Sequence, residues 1–202
     1  QVMITNGSGS LFQAAITDIK GKSCFTEVTL VEEIAEMSPK LIMAIAPTKS
    51  TDRMEWFLEK AVELGVSEIY PIQSFHSERV KVKKERWERI LVSAMKQSLR
   101  FYLPQLHDLT KLKDFLSLDL AESKLMAHCR KSKRFPLNDA FGADKNTVIL
   151  VGPEGDFSVE EIELAESRGW KSIDLGDRRL RTETAALSVL DAFHWYQNWF
   201  TK

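Results

Sequence analysis

An α/β fold built on a parallel sheet, preceded by a short all-β segment, is the architecture this sequence predicts, and three observations predict it. From Pro39 onward short apolar runs alternate with amphipathic stretches of helical period, the pattern of strands joined by crossover helices. Before that point the chain alternates at period two around turn residues. With 28 Lys plus Arg, 29 Asp plus Glu and 44% hydrophobic residues among 202, collagenous, disordered and disulfide-stapled classes are excluded.

Taken in order, residues 2–4 are short and apolar, the cluster Asn6-Gly7-Ser8-Gly9-Ser10 reads as a turn, and residues 11–19 resume with Phe12, Ala14 and Ile16 alternating. Lys20-Gly21-Lys22 closes a hairpin onto residues 23–31, where Cys24, Thr26, Val28 and Leu30 share a face. Three short strands bury little alone. Because the chain opens on Gln1, without a leader, on strands already in mid-course, this piece is expected to be a truncated β-domain that lacks its true N-terminus.

The domain boundary falls near residues 36–40. Residues 41–46 form an apolar run suited to a strand buried on both faces. Asp52 with Glu55 has the spacing of a capping box for a helix carrying Phe57, Leu58, Ala61 and Leu64 and ending at Gly65. A strand at 66–72 and a helix at 84–100, with Trp87, Ile90, Leu91, Ala94 and Met95 on one face, come next. An irregular stretch leads to strands at 124–128 and 148–151. Ser158 with Glu161 makes a second capping box for a helix ending at Gly169. A strand at 172–175 and a last helix, capped by Thr182 and running through Ala185, Leu187, Leu190, Phe193 and Trp195, complete the chain.

Cys24 and Cys129 stand far apart, with no Cys or His at zinc-ligand spacing, so a reduced, cytoplasmic protein without metal is expected. No apolar run approaches the roughly 20 residues that span a bilayer, and no membrane association is expected. Serine elbows, Walker phosphate loops and His-Glu-x-x-His motifs are absent. His128, ending a buried strand, is expected to be packed or to line a pocket.

Ligands of open α/β sheets bind outside the carboxyl ends of the strands. The turn Gly152-Pro153-Glu154-Gly155 there offers backbone groups to a ligand, or simply makes a strand-to-helix turn. The run from Leu175 to Ala185 crowds Arg178, Arg179, Arg181, Glu183, Thr182 and Thr184 at the entrance of an apolar helix. A cap explains the threonine and glutamate, but arginines ahead of a helix N-terminus oppose its dipole, which points to function. Between residues 76 and 100, eight basic residues face three acidic ones, while residues 154–166 hold six acids and no base. This asymmetry suggests a polyanion face that Arg130, Lys131, Lys133 and Arg134 could extend, although solvated ion-paired helices also produce such runs.

Five motifs then carry a resemblance: Lys49-Ser-Thr-Asp-Arg-Met-Glu55, Glu59-Lys-Ala-Val-Glu-Leu-Gly-Val66, Ala94-Met-Lys-Gln-Ser-Leu-Arg100 with Arg86-Trp87 and Pro104, Gly152-Pro-Glu-Gly155, and Leu180-Arg-Thr-Glu-Thr-Ala185. In this order they resemble the RsmE family, bacterial 16S ribosomal RNA uridine-N3 methyltransferases of the SPOUT superfamily. The resemblance covers residues 39–202, and residues 1–38 resemble the C-terminal part of that family's PUA-like β-domain. It implies S-adenosylmethionine as methyl donor, 16S ribosomal RNA or the small subunit as substrate, a homodimer, and a parallel sheet ending in a deep trefoil knot.

By the same resemblance Met126, Ala127 and His128, then Val151, Gly152, Pro153 and Gly155, then Leu175, Gly176, Leu180, Thr182, Thr184 and Ala185 hold the cofactor. Arg181 would stabilise charge on the uracil oxygens, with Glu154 and Glu183 as base or cofactor ligand. Arg79, Lys96, Gln97 and Arg100 are the expected RNA contacts, the last three sharing a helix end beside the cofactor loops. Part of the apolar face from Ala185 to Trp199 is expected at a dimer interface. One departure is Asp156, where the family commonly has a second glycine; Asp tolerates a turn conformation there. The alternatives are a SPOUT enzyme acting on a ribose 2′-hydroxyl or a transfer-RNA guanine, a non-catalytic RNA-binding module, and a phosphate binder at the helix after Gly155. Glu154 and Asp156 argue against the last.

Overall fold

The computed structural model describes residues 1–130, 134–142 and 144–200. Its elements are β1 (Val2–Thr5), β2 (Ser10–Lys20), β3 (Ser23–Glu33), β4 (Leu41–Ile45), α1 (Thr51–Glu63), β5 (Glu68–Gln73), α2 (Lys84–Gln97), β6 (Gln105–Leu106), β7 (Thr110–Lys111), α3 (Leu112–Phe115), β8 (Ser123–Ala127), β9 (Phe135–Pro136), α4 (Leu137–Ala140), β10 (Thr147–Val151), α5 (Val159–Ser167), β11 (Lys171–Asp174) and α6 (Thr182–Phe200). The first three strands form an antiparallel sheet in the order β1-β2-β3. The others form a sheet of order β6-β5-β4-β10-β8-β11-β9, with β7 also on β5, and every pairing in it is parallel.

Period-two alternation divides the central strands between two cores. Leu41, Met43 and Ile45 of β4, with Leu125, Ala127, Ile149 and Val151, join the layer of α1, α2 and α6. Ile42 and Ala44, with Met126, Val148 and Leu150, join Phe115, Phe157, Ile162 and Trp170 on the opposite face. Apolar strands covered on both sides are the reason these runs read as continuous. Fully burying a side chain such as Phe57 or Phe157 contributes roughly 1.5 to 3 kcal/mol, so these layers hold the loops above them.

Several local expectations fail for identifiable reasons. The box at Asp52 and Glu55 does not form: the N-cap is Ser50, which makes no side-chain cap bond, and Glu55 instead pairs with Arg86 at 2.6 Å. Thr182 does not cap α6 either; its buried hydroxyl donates to the Gly152 carbonyl at 3.0 Å. The box at Ser158 and Glu161 forms in both directions. Gly65 and Gly169 both take left-handed φ values, +75° and +82°, behind their helices.

The antiparallel sheet is mostly exposed, Ala14 being its buried apolar residue. It is joined to the rest by backbone bonds from Gly9 N to Phe101 O and from Leu103 N to Gly7 O, and by the Tyr102 hydroxyl donating to Ile34 O at 3.0 Å.

Candidate functional site

The sheet reverses its winding order around β4 and β10, and the loops that leave β8, β10 and β11 converge above that point. They enclose a cavity of about 380 Å³, within the usual range of small-ligand sites. Ala127, His128, Val151, Gly152, Pro153, Leu175, Gly176, Leu180, Thr182 and Ala185 line it, together with Glu154 and Arg181. Cys129, Arg134, Asp156, Arg178 and Arg179 complete the wall; the sequence marks Arg178 and Arg179 as functional without giving them a ligand, and offers Arg134 only for a polyanion face.

Three expected cofactor contacts lie outside the cavity. Met126 is fully buried in the core layer on the opposite face of the sheet from Leu125 and Ala127, one strand position short of the carboxyl edge where Ala127 meets the cavity. Gly155 packs beneath His76, whose Cβ would stand 2.9 Å from a Cβ at residue 155. Thr184 points to solvent, since Thr182 and Ala185 occupy the inward face of α6 at helical spacing. Glu183 also leaves the cavity wall, buried and 3.7 Å from Arg53 of α1.

Hydrogen bonds to side chains and backbone fix the loops. Asp156 takes the left-handed φ of +63°, which its side chain tolerates. Its carboxylate accepts from Cys129 N and Phe157 N, both at 2.9 Å. Glu154 accepts from Lys49 N at 3.0 Å through Oε1, and its second oxygen has no hydrogen bond among the described residues. Gly152 is constrained by packing, since a Cβ there would lie 2.8 Å from the Phe157 ring. Asp174 accepts from Gly176 N at 3.1 Å and pairs with Arg134 at 3.3 Å, setting the root of the last loop.

His128 is buried, and its Nε2 lies 2.9 Å from Ser172 Oγ, which itself donates to Glu166 at 2.9 Å. The serine proton is therefore committed, so Nε2 donates. Burial pushes this histidine below the usual pKa, with Arg134 and Arg130 adding to the effect and Asp156 and Glu166 opposing it. It meets the cavity as a neutral ring.

The expected RNA residues divide differently. Arg79 donates to the Thr48 and Lys49 carbonyls and to Thr51, which fastens the β4–α1 loop. Arg100 donates to Glu63 O at 2.8 Å and flanks Gly65, at the turn that enters β5. Lys96 and Gln97 are exposed in the last turn of α2, at the same end. That is the amino end of the sheet, so these three lie opposite the cavity rather than beside its loops. Ion pairs Lys84–Asp108 and Arg86–Glu55 neutralise part of the basic run, while Lys131 and Lys133 lie outside the described residues.

No cluster of His, Cys, Asp and Glu suited to a metal occurs among the described residues. The lining suits an adenosyl ligand: Ala127, Val151, Leu175, Leu180 and Ala185 offer apolar contacts for a purine, and residues 152–154 and 175–176 add turns whose backbone groups lie in the wall.

Comparison with known proteins agrees. Residues 36–194 match the model of the RNA methyltransferase domain. Ribosomal RNA small subunit methyltransferase E of Mesomycoplasma hyopneumoniae is 37% identical over 163 residues, which cover 77% of this chain and 69% of that protein. A crystal structure described as a probable rRNA-methyltransferase from Porphyromonas gingivalis superposes with a TM-score of 0.89 at 39% identity, covering 98% of this chain and 85% of the other. The ribosomal RNA small subunit methyltransferase E of Neisseria gonorrhoeae, solved bound to S-adenosyl methionine, gives 0.85 at 28% identity over 97% and 83%. The chain belongs to the ribosomal RNA small subunit methyltransferase E (RsmE) family of RNA methyltransferases.

Proposed function

We propose that this chain transfers a methyl group from S-adenosylmethionine to N3 of a uridine in 16S ribosomal RNA. The observation that carries the reading is the cavity itself, where three loops from the carboxyl edge of a parallel sheet join, lined by most of the residues that the family resemblance implies. When bound, the sulfonium supplies an already activated methyl group.

The chain's own residues then have two tasks, orientation and charge. Ala127, Val151, Leu175, Leu180 and Ala185 give apolar walls, and the rigid turns fix the angle of approach. Such positioning can supply about 7 to 11 kcal/mol of a barrier. Uridine N3 loses a proton as it is methylated. Arg181, exposed at the mouth, stabilises the negative charge that spreads onto the uracil oxygens. Glu154 takes the proton through its free oxygen, whereas both oxygens of Asp156 are spent on backbone N–H groups. Glu183 acts by pairing with Arg53 rather than by touching substrate.

The reading extends to a trefoil knot threaded through these loops, a homodimer that covers part of the α6 face where Trp195 is 57% exposed, and a PUA-like origin for residues 1–38. Cytoplasmic placement follows from the substrate. Among the described residues no helix is long and apolar enough to cross a membrane. Nucleoside analysis of 16S ribosomal RNA after incubation with the protein and S-adenosylmethionine tests the reading. It should yield 3-methyluridine; a 2′-O-methyl nucleoside or a methylguanosine would overturn it.

A further inference from the structure

The arginines of this chain fall into two groups. Away from the last loop each is committed. Arg53 faces Glu183, Arg86 pairs with Glu55 and Arg134 with Asp174. Arg79, Arg100, Arg130, Arg168 and Arg89 each donate to backbone carbonyls. The side chains of Arg178, Arg179 and Arg181 alone have no hydrogen bond or ion pair with any described residue, and all three are exposed around one cavity mouth. The acids of that wall are differently placed, since Glu154 and Asp156 are turned onto backbone N–H groups.

Their position makes this costly for the fold. The loop runs straight into the first turn of α6, whose unpaired N–H groups already carry partial positive charge. Cations there repel the helix terminus and one another, and only Asp177 on the same loop offsets them. The root of the loop is nevertheless fixed, by Asp174 on Gly176 N and by Arg134 on Asp174. Uncompensated guanidinium groups on a loop with a fixed root, at a helix N-terminus, form an anion site, and their fork geometry suits the paired oxygens of a phosphodiester.

We propose that Arg178 and Arg179 grip the RNA backbone on either side of the target nucleotide, at the mouth of the methyl-donor cavity. This rests on the function proposed above and adds the place where the strand is held. It moves the principal phosphate contacts from α2 to the 177–181 loop. Arg181, nearest the helix, is left to face the base that the clamped strand presents. Phosphate contacts position a strand without reading its sequence, so the grip serves any RNA threaded across the mouth.

The test compares the protein with Arg178→Ala/Arg179→Ala and Arg178→Lys/Arg179→Lys, using a fluorescein-labelled single-stranded RNA of mixed sequence across a salt series. S-adenosylhomocysteine and methylthioadenosine are titrated alongside. The double alanine variant should bind RNA on the order of tenfold more weakly at low salt. Its plot of log K against log salt should be shallower by roughly 1.4, the value for two lost contacts to a single strand. In methylation assays the loss should fall on KM for RNA more than on kcat, the lysine pair should restore the slope, and binding of S-adenosylhomocysteine should weaken no more than that of methylthioadenosine. An unaltered salt slope would overturn the proposal. So would weaker binding of S-adenosylhomocysteine with methylthioadenosine unaffected, because the arginines would then hold the amino-acid carboxylate. If the unaltered protein bound no RNA at all, the functional reading itself would fall, and the grip with it.

Discussion

The two ends of the parallel sheet each present a cavity and an arginine, and they use them in opposite ways. At the amino end a cavity of about 280 Å³ lies between the segment 34–37, which follows the antiparallel sheet, and the α/β part, and Arg100 borders it. Its guanidinium is spent on Glu63 O and stands over the left-handed Gly65. At the carboxyl end the side chains of Arg178, Arg179 and Arg181 border the larger opening with no partner among the described residues. A charge whose partner is supplied by the fold is there for the fold; one left without a partner, at a cost, is there for something that arrives. Basic residues counted along a sequence do not make this distinction, and their partners do.

The comparison can be broken in four places, beginning with the largest effect. Arg181→Ala should lower kcat by roughly 10² to 10³, as loss of one charge-stabilising donor does, while calorimetry shows S-adenosylhomocysteine still binding. Turnover equal to that of the unaltered protein would remove Arg181 from the chemistry. Gly152→Ala places a methyl group 2.8 Å from the fully buried Phe157 ring. It should cost about 1 to 3 kcal/mol by denaturant unfolding and weaken cofactor binding at least about tenfold.

Arg100→Ala, at the other end, should cost about 1.5 kcal/mol in the same unfolding assay and leave both turnover and the salt slope of RNA binding alone. A changed salt slope would return Arg100 to the RNA surface and erase the contrast. The smallest effect is that of pH. His128 and His194 are held below the usual histidine pKa, chiefly by burial, so the unfolded chain takes up more protons than the folded one. Stability is then complete above pH 6.5 and declines as pH falls below it. Replacing both by Gln should flatten that decline, measured as the urea midpoint at pH 7.5 and 5.5.

Much of this was legible in the sequence, because it rests on periods. The stripes Trp87, Leu91, Ala94, Met95 and Phe57, Leu58, Ala61 are buried as their spacing requires. The runs at 41–46 and 148–151 became strands covered on both sides. Met126 lies inside strand β8 and not at its carboxyl end, where Ala127 and His128 meet the cavity, and a strand boundary good to one residue is more than the pattern gives. Strands of two residues such as β6, β7 and β9, and single-turn helices such as α3 and α4, carry no period to read. The destinations of Thr182, Arg79 and Glu55 were out of reach for another reason. Their partners lie 30, 31 and 31 residues away, and long-range contacts of this kind overrule a local cap. Arg178 and Arg179 were legible too, because they share one loop with Arg181 and oppose the dipole of the helix they introduce; what they hold was not.

The central claim is that the carboxyl-edge cavity is the methyl-donor site, and isothermal titration with S-adenosylmethionine, S-adenosylhomocysteine and ATP tests it most directly. Both sulfur ligands should bind one per chain with micromolar Kd, lose affinity together in Gly152→Ala, and leave ATP without measurable heat. If neither sulfur ligand bound, or if ATP bound as well as they did, the cavity would be a site of another kind.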